Sequence, residues 1–263
     1  MSDVTIITAF VDIGRGEWVG VKNNQPIPPY IKRDTETYLA RFERLTKLKN
    51  KIICFTESKF FDRIIAMRDD IELIGIDSIW NDHQHLLNKI KNIQQESSFI
   101  NFVTRPSAPE YWSPEYVAIN LMKSHFVTYA ISQNLVTTKN AAWIDFGYCR
   151  PEVYCPESTT WEYSTDDKIN LFSHNLAKLN IPIFELIRTG EVVFQGCHIT
   201  APIKLWSTLK QLVNDNLTTL FNVGLIDDDQ TLLLMSYRSA PELFKIIPAD
   251  SNNWFTIFEG RCK

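Results

Sequence analysis

The sequence predicts an α/β fold, a mixed and mostly parallel β-sheet flanked by helices. Three observations carry this expectation. Apolar, β-branched runs of strand length alternate along the chain with stretches of helical periodicity. Several of those runs are apolar at consecutive positions, as strands covered on both faces require. The chain also has 263 residues, 44% apolar and 12% aromatic. That is ample for a packed core in one large domain and too rich for a disordered chain.

The elements follow in order. "DVTIITAFVDI" (3–13) is a continuous apolar run and predicts a doubly buried strand. A long segment, 14–33, separates it from "DTETYLARFERLTKLKN" (34–50). There Asp34 is a helix N-cap candidate, and Tyr38, Leu39, Phe42, Leu45 and Leu48 share one helical face. "KIICFT" (51–56) predicts a second buried strand. "KFFDRIIAMRDD" (59–70) predicts a helix with Phe60, Ile64 and Met67 on one stripe, "IELIGID" (71–77) a third strand, and "DHQHLLNKIKNI" (82–93) a helix. Prolines punctuate 104–116 and predict a loop. "EYVAINLMKSHFVTYAISQN" (115–134) has the broad apolar face of one buried helix.

"AAWIDFG" (141–147) reads as the next strand and 150–180 as polar and irregular. "IPIFELI" (181–187) and "EVVFQGCHIT" (191–200) read as strands. "PIKLWSTLKQLVNDNLTTLFNVG" (202–224) predicts one or two helices ending at Gly224. "DDDQTLLLMSYRSAPELFKII" (227–247) predicts a helix behind an acidic cluster, and "WFTIF" (254–258) a last strand. The segments 14–33 and 148–180 are long enough to be functional.

Composition excludes several classes. The formal net charge is −4, so duplex nucleic acid is not the expected partner. No uncharged apolar run approaches membrane-spanning length, and "MSDVTIITAF" predicts no secretory leader. Lys204, Trp206 and Lys210 read as a core stripe with a solvated face rather than an anchor; peripheral membrane contact is the most expected. Five scattered cysteines (54, 149, 155, 197 and 262) predict reduced, buried thiols and a cytoplasmic setting.

Asp145-Phe146-Gly147 spells the magnesium-binding tripeptide of protein kinases, but its context excludes that reading. The glycine-rich loop, strand lysine and H-R-D loop that a kinase requires are absent. Asp145 is instead expected at the carboxyl end of a buried strand, where parallel sheets gather ligands. A carboxylate there suits a divalent cation that bridges phosphates. Gly147 would let a ligand approach the backbone. Lys123, on the preceding helix, could neutralise a diphosphate, and His198 could be a second metal ligand. Asp227, Asp228, Asp229 and Gln230 open a helix, where acids are electrostatically at home and could also face a reacting sugar.

Together "TIITAFVDIGRGEW", "KIICFT", "YVAINLMKSHFVTYAI", "AAWIDFGYCR" and "DDDQTLL" resemble the HtrL/YibB family of bacterial proteins over nearly the whole chain. The resemblance implies a GT-A-like fold and a place in lipopolysaccharide or surface-glycan synthesis. It implies a single domain whose 1–147 half binds nucleotide and whose 148–263 half serves acceptor and catalysis. Asp145 then stands for the first Asp of a D-x-D motif that binds Mn2+ or Mg2+, with Gly147 in place of the second. Thr8, Ala9 and Phe10 would meet the base and ribose, Arg15 the adjoining loop, and Lys123 the donor. Gly196 would lie beneath a sugar, and Asp229, with Gln230 and Asp228, near the anomeric centre. The implied activity is a glycosyltransferase that moves a sugar from a nucleotide donor, a UDP-sugar by expectation, to a glycan or glycolipid. The alternative is an inactive nucleotide- or glycan-binding protein of the same pathway.

Overall fold

The structure, a computed structural model, describes residues 4–249 and 254–259. Asp3, the expected start of the first strand, and Cys262 lie outside them. The described strands are β1 (Val4–Phe10), β2 (Val21–Lys22), β3 (Gln25–Pro26), β4 (Ile52–Thr56), β5 (Glu72–Gly75), β6 (Asn140–Ile144), β7 (Ile169–Ser173), β8 (His198–Pro202) and β9 (Phe244–Pro248). The helices are α1 (Thr35–Leu45), α2 (Phe61–Met67), α3 (Ile79–Asp82), α4 (Gln84–Gln95), α5 (Ser97–Phe102), α6 (Pro114–Leu121), α7 (Lys123–Ser132), α8 (Ile183–Thr189), α9 (Trp206–Asn222) and α10 (Asp229–Ser239).

Seven strands form one sheet in the order β5-β4-β1-β6-β8-β7-β9, and β2 and β3 pair as a separate small ribbon. β8 runs antiparallel to both neighbours, while the other sheet pairings are parallel. The expected mixed, mostly parallel α/β sheet is therefore what forms. The chain builds from β1 outward to β4 and β5, then returns to lay β6 on the other side of β1. That reversal opens a crevice beyond the carboxyl ends of β1 and β6, where open α/β sheets take their ligands.

Strand periodicity divides the core in two. Ile7, Ile53, Phe55, Ala141, Trp143 and Ile199 face one layer with Phe126, Val127, Trp206 and Leu209 of α7 and α9. Ile6, Ile52, Cys54, Ala142 and Ile144 face the other, with Leu39, Phe42 and Leu45 of α1. Asp34 caps α1 as expected, its Oδ1 accepting the Thr37 N–H at 2.8 Å. Trp206 is fully buried, so it belongs to the core stripe. Beyond α9, Gly224 adopts φ 68°, and the N–H groups of Gly224 and Leu225 close back on the Phe221 and Leu220 carbonyls. This is the left-handed glycine cap that ends many helices.

Several elements differ from expectation. Segment 181–187 is not a strand: Pro182 precedes the first turn of α8 and Gly190, at φ 64°, closes it. Those end signals override a short apolar run, whose periodicity alone does not separate strand from helix. Segment 244–247 is not helical. Ala240, before Pro241, leaves helical geometry, and the chain then extends into β9 beside β7. β7 itself lies within the stretch expected to be irregular. Segment 254–258 is a turn rather than a strand, with the Ile257 N–H donating to the Tyr148 hydroxyl at 3.0 Å. The helix expected at 115–134 divides at Met122, where the His125 N–H bonds the Met122 carbonyl at 2.9 Å, a three-residue step. Cys149 and Cys155 form a disulfide, Cα to Cα 6.0 Å, which corrects the expectation of reduced thiols for that pair. Cys54 and Cys197 are free.

Candidate functional site

A cavity of about 260 Å³ occupies the crevice at the ends of β1 and β6. Crossover helices run antiparallel to the strands they join, so α7 brings its first residue, Lys123, to this edge. Helical side chains lean toward the N-terminus, which carries the ammonium into the cavity wall. β8 starts opposite the end of β6, with Ile144 paired to His198. This sets Gly196 and Cys197 beside Asp145, whose N–H donates to the Cys197 carbonyl at 2.9 Å. α10 delivers Asp228, Asp229 and Gln230 to the same wall.

Lys123 is buried among acceptors. Its Nζ lies 2.9 Å from Asp229 Oδ2, 2.8 Å from the Gly196 carbonyl and 3.3 Å from Asp145 Oδ1. Burial opposes its charge, but Asp145 and Asp229 outweigh burial and hold the ammonium protonated above its usual range. Asp145 Oδ1 also accepts from the Trp143 indole at 2.7 Å. Burial raises the Asp229 carboxyl while Lys123 pulls it back. Asp228 is the N-cap of α10, accepting the Gln230 N–H at 3.0 Å. Its carboxyl is raised well above the ordinary range by burial and by Asp229, Asp227 and Glu110. Behind it Asp227 accepts from the Thr231 hydroxyl at 2.7 Å and is pushed up to about 8 by burial and Glu110.

The two glycines of the expected site have a different use from ligand approach. Neither adopts a left-handed φ. A β-carbon on Gly147 would lie 2.9 Å from two ring carbons of Tyr38, and one on Gly196 would lie 2.9 Å from Asp229 Cγ and Oδ1. Each glycine makes room for a side chain of the protein itself. The position from which a second D-x-D carboxylate would project is filled by the Tyr38 ring.

Across the cavity the wall is mainly basic and aromatic, with Asp12 accepting from the Gly14 N–H and the Thr35 hydroxyl. Arg15, Arg33 and Arg150 line it together with Phe10, Tyr38, Tyr116, Trp254 and Phe255. Arg15 donates to the Ile31 carbonyl at 2.8 Å and to the Tyr38 hydroxyl at 2.6 Å, and stacks within 5.2 Å of the Trp18 ring centre. Arg41 comes within 3.8 Å of the Gly147 β-carbon position.

Of the residues expected here, Ala9, Phe10, Arg15, Lys123, Asp145, Gly147, Gly196, Asp228, Asp229 and Gln230 converge on the cavity. Thr8 and His198 do not. Thr8 lies fully buried within β1, paired with Cys54. His198 is fully buried on the sheet face opposite Lys123, its ring edge-on to Phe172 at 4.4 Å and Tyr148 at 5.5 Å. Strand alternation puts Ile199 on the α7 side and turns His198 away. No group of three or more His, Cys, Asp or Glu side chains among the described residues could hold a metal ion. Tyr38, Trp143, Arg33, Arg41 and Arg150 were not expected. Trp143 was findable, two residues before Asp145 on the same strand. The arginines come from distant segments and carry no local signal.

Comparison with known proteins shows the family to which the chain belongs. The profile of a family described as "Bacterial protein of unknown function (HtrL_YibB)" matches residues 2–262. The protein HtrL of Escherichia coli strain K12 is 33% identical over 269 residues, covering 99% of this chain and 92% of that protein. Among solved structures, apo mouse xyloside xylosyltransferase 1 is similar at a TM-score of 0.40 with 11% identity, covering 93% of this chain and 85% of that one.

Proposed function

We propose a function from one premise: the chain belongs to the HtrL/YibB family of bacterial proteins. On that premise the cavity takes a nucleotide sugar, a UDP-sugar by preference, and the protein transfers the sugar to an acceptor hydroxyl. One observation carries this reading. A single cavity at the topological switch point gathers a buried lysine held between two carboxylates, and a further half-buried carboxylate, Asp228, beside them.

The chemistry asks for these groups. The acceptor oxygen attacks the anomeric carbon as the sugar–phosphate bond breaks, and the departing diphosphate gains negative charge. The fixed ammonium of Lys123 favours that charge in a partly dry site. The acceptor hydroxyl's proton passes to a carboxylate, and Asp228 is suited to receive it. Only its Oδ1 is engaged by the helix cap, which leaves Oδ2 to take the proton when the carboxyl is ionised. Asp229 is committed to Lys123 and positions it. The D-x-D donor set for Mn2+ or Mg2+ does not fit. Tyr38 fills the second carboxylate's place, Lys123 lies between Asp145 and Asp229, and His198 faces the other side of the sheet, so no step is routed through a cation.

By the family resemblance the acceptor is a lipopolysaccharide core or another surface glycan, met from the cytoplasm. No helix among the described residues is long and apolar enough to cross a membrane. The locking of Asp229 onto Lys123 favours a second reading, binding without turnover. Calorimetry with UDP and a hydrolysis assay over a panel of nucleotide sugars separate the two. The expectation is UDP binding, slow donor hydrolysis, and an Asp228→Asn variant that keeps UDP affinity but loses about 10²–10⁴-fold in turnover. Binding with no turnover of any donor supports the second reading. A folded protein that binds neither nucleotide nor nucleotide sugar overturns both.

A further inference from the structure

We infer that Arg33, Arg41 and Arg150, with Arg15, form a metal-independent seat for a diphosphate. The inference rests on the nucleotide-sugar reading for the identity of the ligand, but its geometry stands alone.

The four guanidinium groups come from three separate parts of the chain and meet at one wall. Arg15 and Arg33 belong to the segment after β1, Arg41 to α1, and Arg150 to the loop after β6. Arg15, Arg33 and Arg150 line the cavity, and Arg41 lies behind Gly147 at its edge. None of them forms an ion pair among the described residues. Every ion pair there uses other cations. Nε and Nη1 of Arg41 and Nε of Arg150 are buried with no hydrogen-bond partner. Arg15 is satisfied only by a carbonyl, a phenol and aromatic faces.

The groups also press on one another. Burial, then Arg33 and Arg41, pull Arg150 down to about 10; burial, then Arg33, lower Arg41, with Glu152 in opposition to both. The exposed Glu152 therefore faces this cluster without bonding to it. Gathering four cations in a chain of net charge −4 is unfavourable unless something anionic completes the set. Guanidinium forks match phosphate oxygens in pairs, and a diphosphate offers enough oxygens for several at once.

The loop that carries Arg150 is built to hold it. The Cys149–Cys155 disulfide closes around it, and Arg44 donates to the Cys149, Arg150 and Val153 carbonyls. Tyr38 fills the space of the missing D-x-D carboxylate and is itself bonded to Arg15. Where a metal-dependent site would project its second acid, this one presents a tyrosine backed by arginines.

The test is calorimetric titration of inorganic pyrophosphate into the full chain, first in EDTA and then with Mn2+. The expected result is saturable binding in EDTA, a Kd that Mn2+ alters less than about threefold, and a loss of about tenfold or more in both Arg33→Gln and Arg150→Gln. Arg63→Gln, at a surface pair with Glu36, should bind as wild type. The Arg33 side chain makes no hydrogen bond or ion pair among the described residues, so its variant remains informative if Arg150→Gln unfolds. Binding that requires Mn2+, or wild-type affinity in Arg33→Gln, overturns the inference. Pyrophosphate binding in EDTA with no affinity for any nucleoside diphosphate would keep the arginine seat and remove the nucleotide-sugar reading. Mn2+-dependent turnover of a nucleotide sugar, with no binding in EDTA, would do the reverse.

Discussion

The Gly196→Ala substitution tests the centre of the site with one methyl group. The new β-carbon would meet Asp229 Cγ and Oδ1 at 2.9 Å, and Oδ2 closer still. Real side chains do not tolerate that approach, so the carboxylate has to swing away. Its movement breaks the 2.9 Å bond to Lys123, which leaves a nearly buried ammonium with Asp145 at 3.3 Å and the Gly196 carbonyl. A charge-assisted hydrogen bond contributes about 1.5–3 kcal/mol and overpacking costs about 1–3 kcal/mol, so the summed loss is roughly 2.5–6 kcal/mol. In a chain of this size each kcal/mol lowers Tm by about 2–4 °C, which gives a fall of roughly 5–24 °C. The decisive assay is a double-mutant cycle by denaturant unfolding. In an Asp229→Ala background the clashing atoms are gone, so Gly196→Ala should then cost little, about 0.5 kcal/mol or less. Additive costs in the cycle would refute the claim that Gly196 exists to seat Asp229.

Three further outcomes follow from the same geometry. Gly147→Asp, which writes a D-x-D motif into the chain, should destabilise by about 1–3 kcal/mol against the Tyr38 ring and create no Mn2+ site by calorimetry. Stoichiometric Mn2+ binding with unchanged stability would contradict it. Asp227, raised to about 8 from an ordinary 3.8, is protonated in the fold and ionised in the unfolded chain between those values. Folding then takes up a proton, so stability is lost as pH rises through that window, by at most about 1.4 kcal/mol per pH unit. Asp227→Asn should flatten this slope in urea midpoints between pH 5 and pH 8, and parallel slopes would show that Asp227 is not its source. Finally, alkylation before reduction should spare Cys149 and Cys155, and mass spectrometry showing both labelled would remove the disulfide that frames Arg150.

The parts of this fold that were legible are those whose physics is local. β1, β4 and β6 are uninterrupted apolar runs, and α1 carries its own cap in Asp34 together with buried residues at helical spacing. β7 was not legible. Its five residues include Asn170 and Ser173, and the buried Asn170 amide finds partners for its N–H groups only in the folded loop, in the Thr165 and Lys168 carbonyls. α8 was misread because a run such as Ile-Pro-Ile-Phe-Glu-Leu-Ile satisfies either period until its ends are weighed. At the site, Asp145 was visible from strand-end logic and Lys123 from helix direction. Arg33, Arg41 and Arg150 were not, because each is an ordinary cation in its own segment and only the crossing of the segment after β1, α1 and the loop after β6 assembles them. His198 shows the opposite failure: its residue type invited a metal role that the parity of β8 denies.

What a glycine means at this site depends on what fills the space it leaves. Sequence logic gave Gly147 and Gly196 to the ligand, whereas Tyr38 and Asp229 use that room. Open space is therefore a poor guide to where a ligand binds here, and unmatched charge is a better one. On the acidic wall, Lys123 already answers Asp145 and Asp229. On the facing wall, Arg15, Arg33, Arg41 and Arg150 form no ion pair among the described residues, with only the exposed Glu152 near the cluster. The arginine wall lacks a paired anion, which on the inference above a diphosphate would supply. A net charge of −4 hides this, because averaging over the chain cancels a local concentration of cations. On the proposed function, this local imbalance would set the diphosphate of a nucleotide sugar against the arginines and leave its sugar toward Asp228.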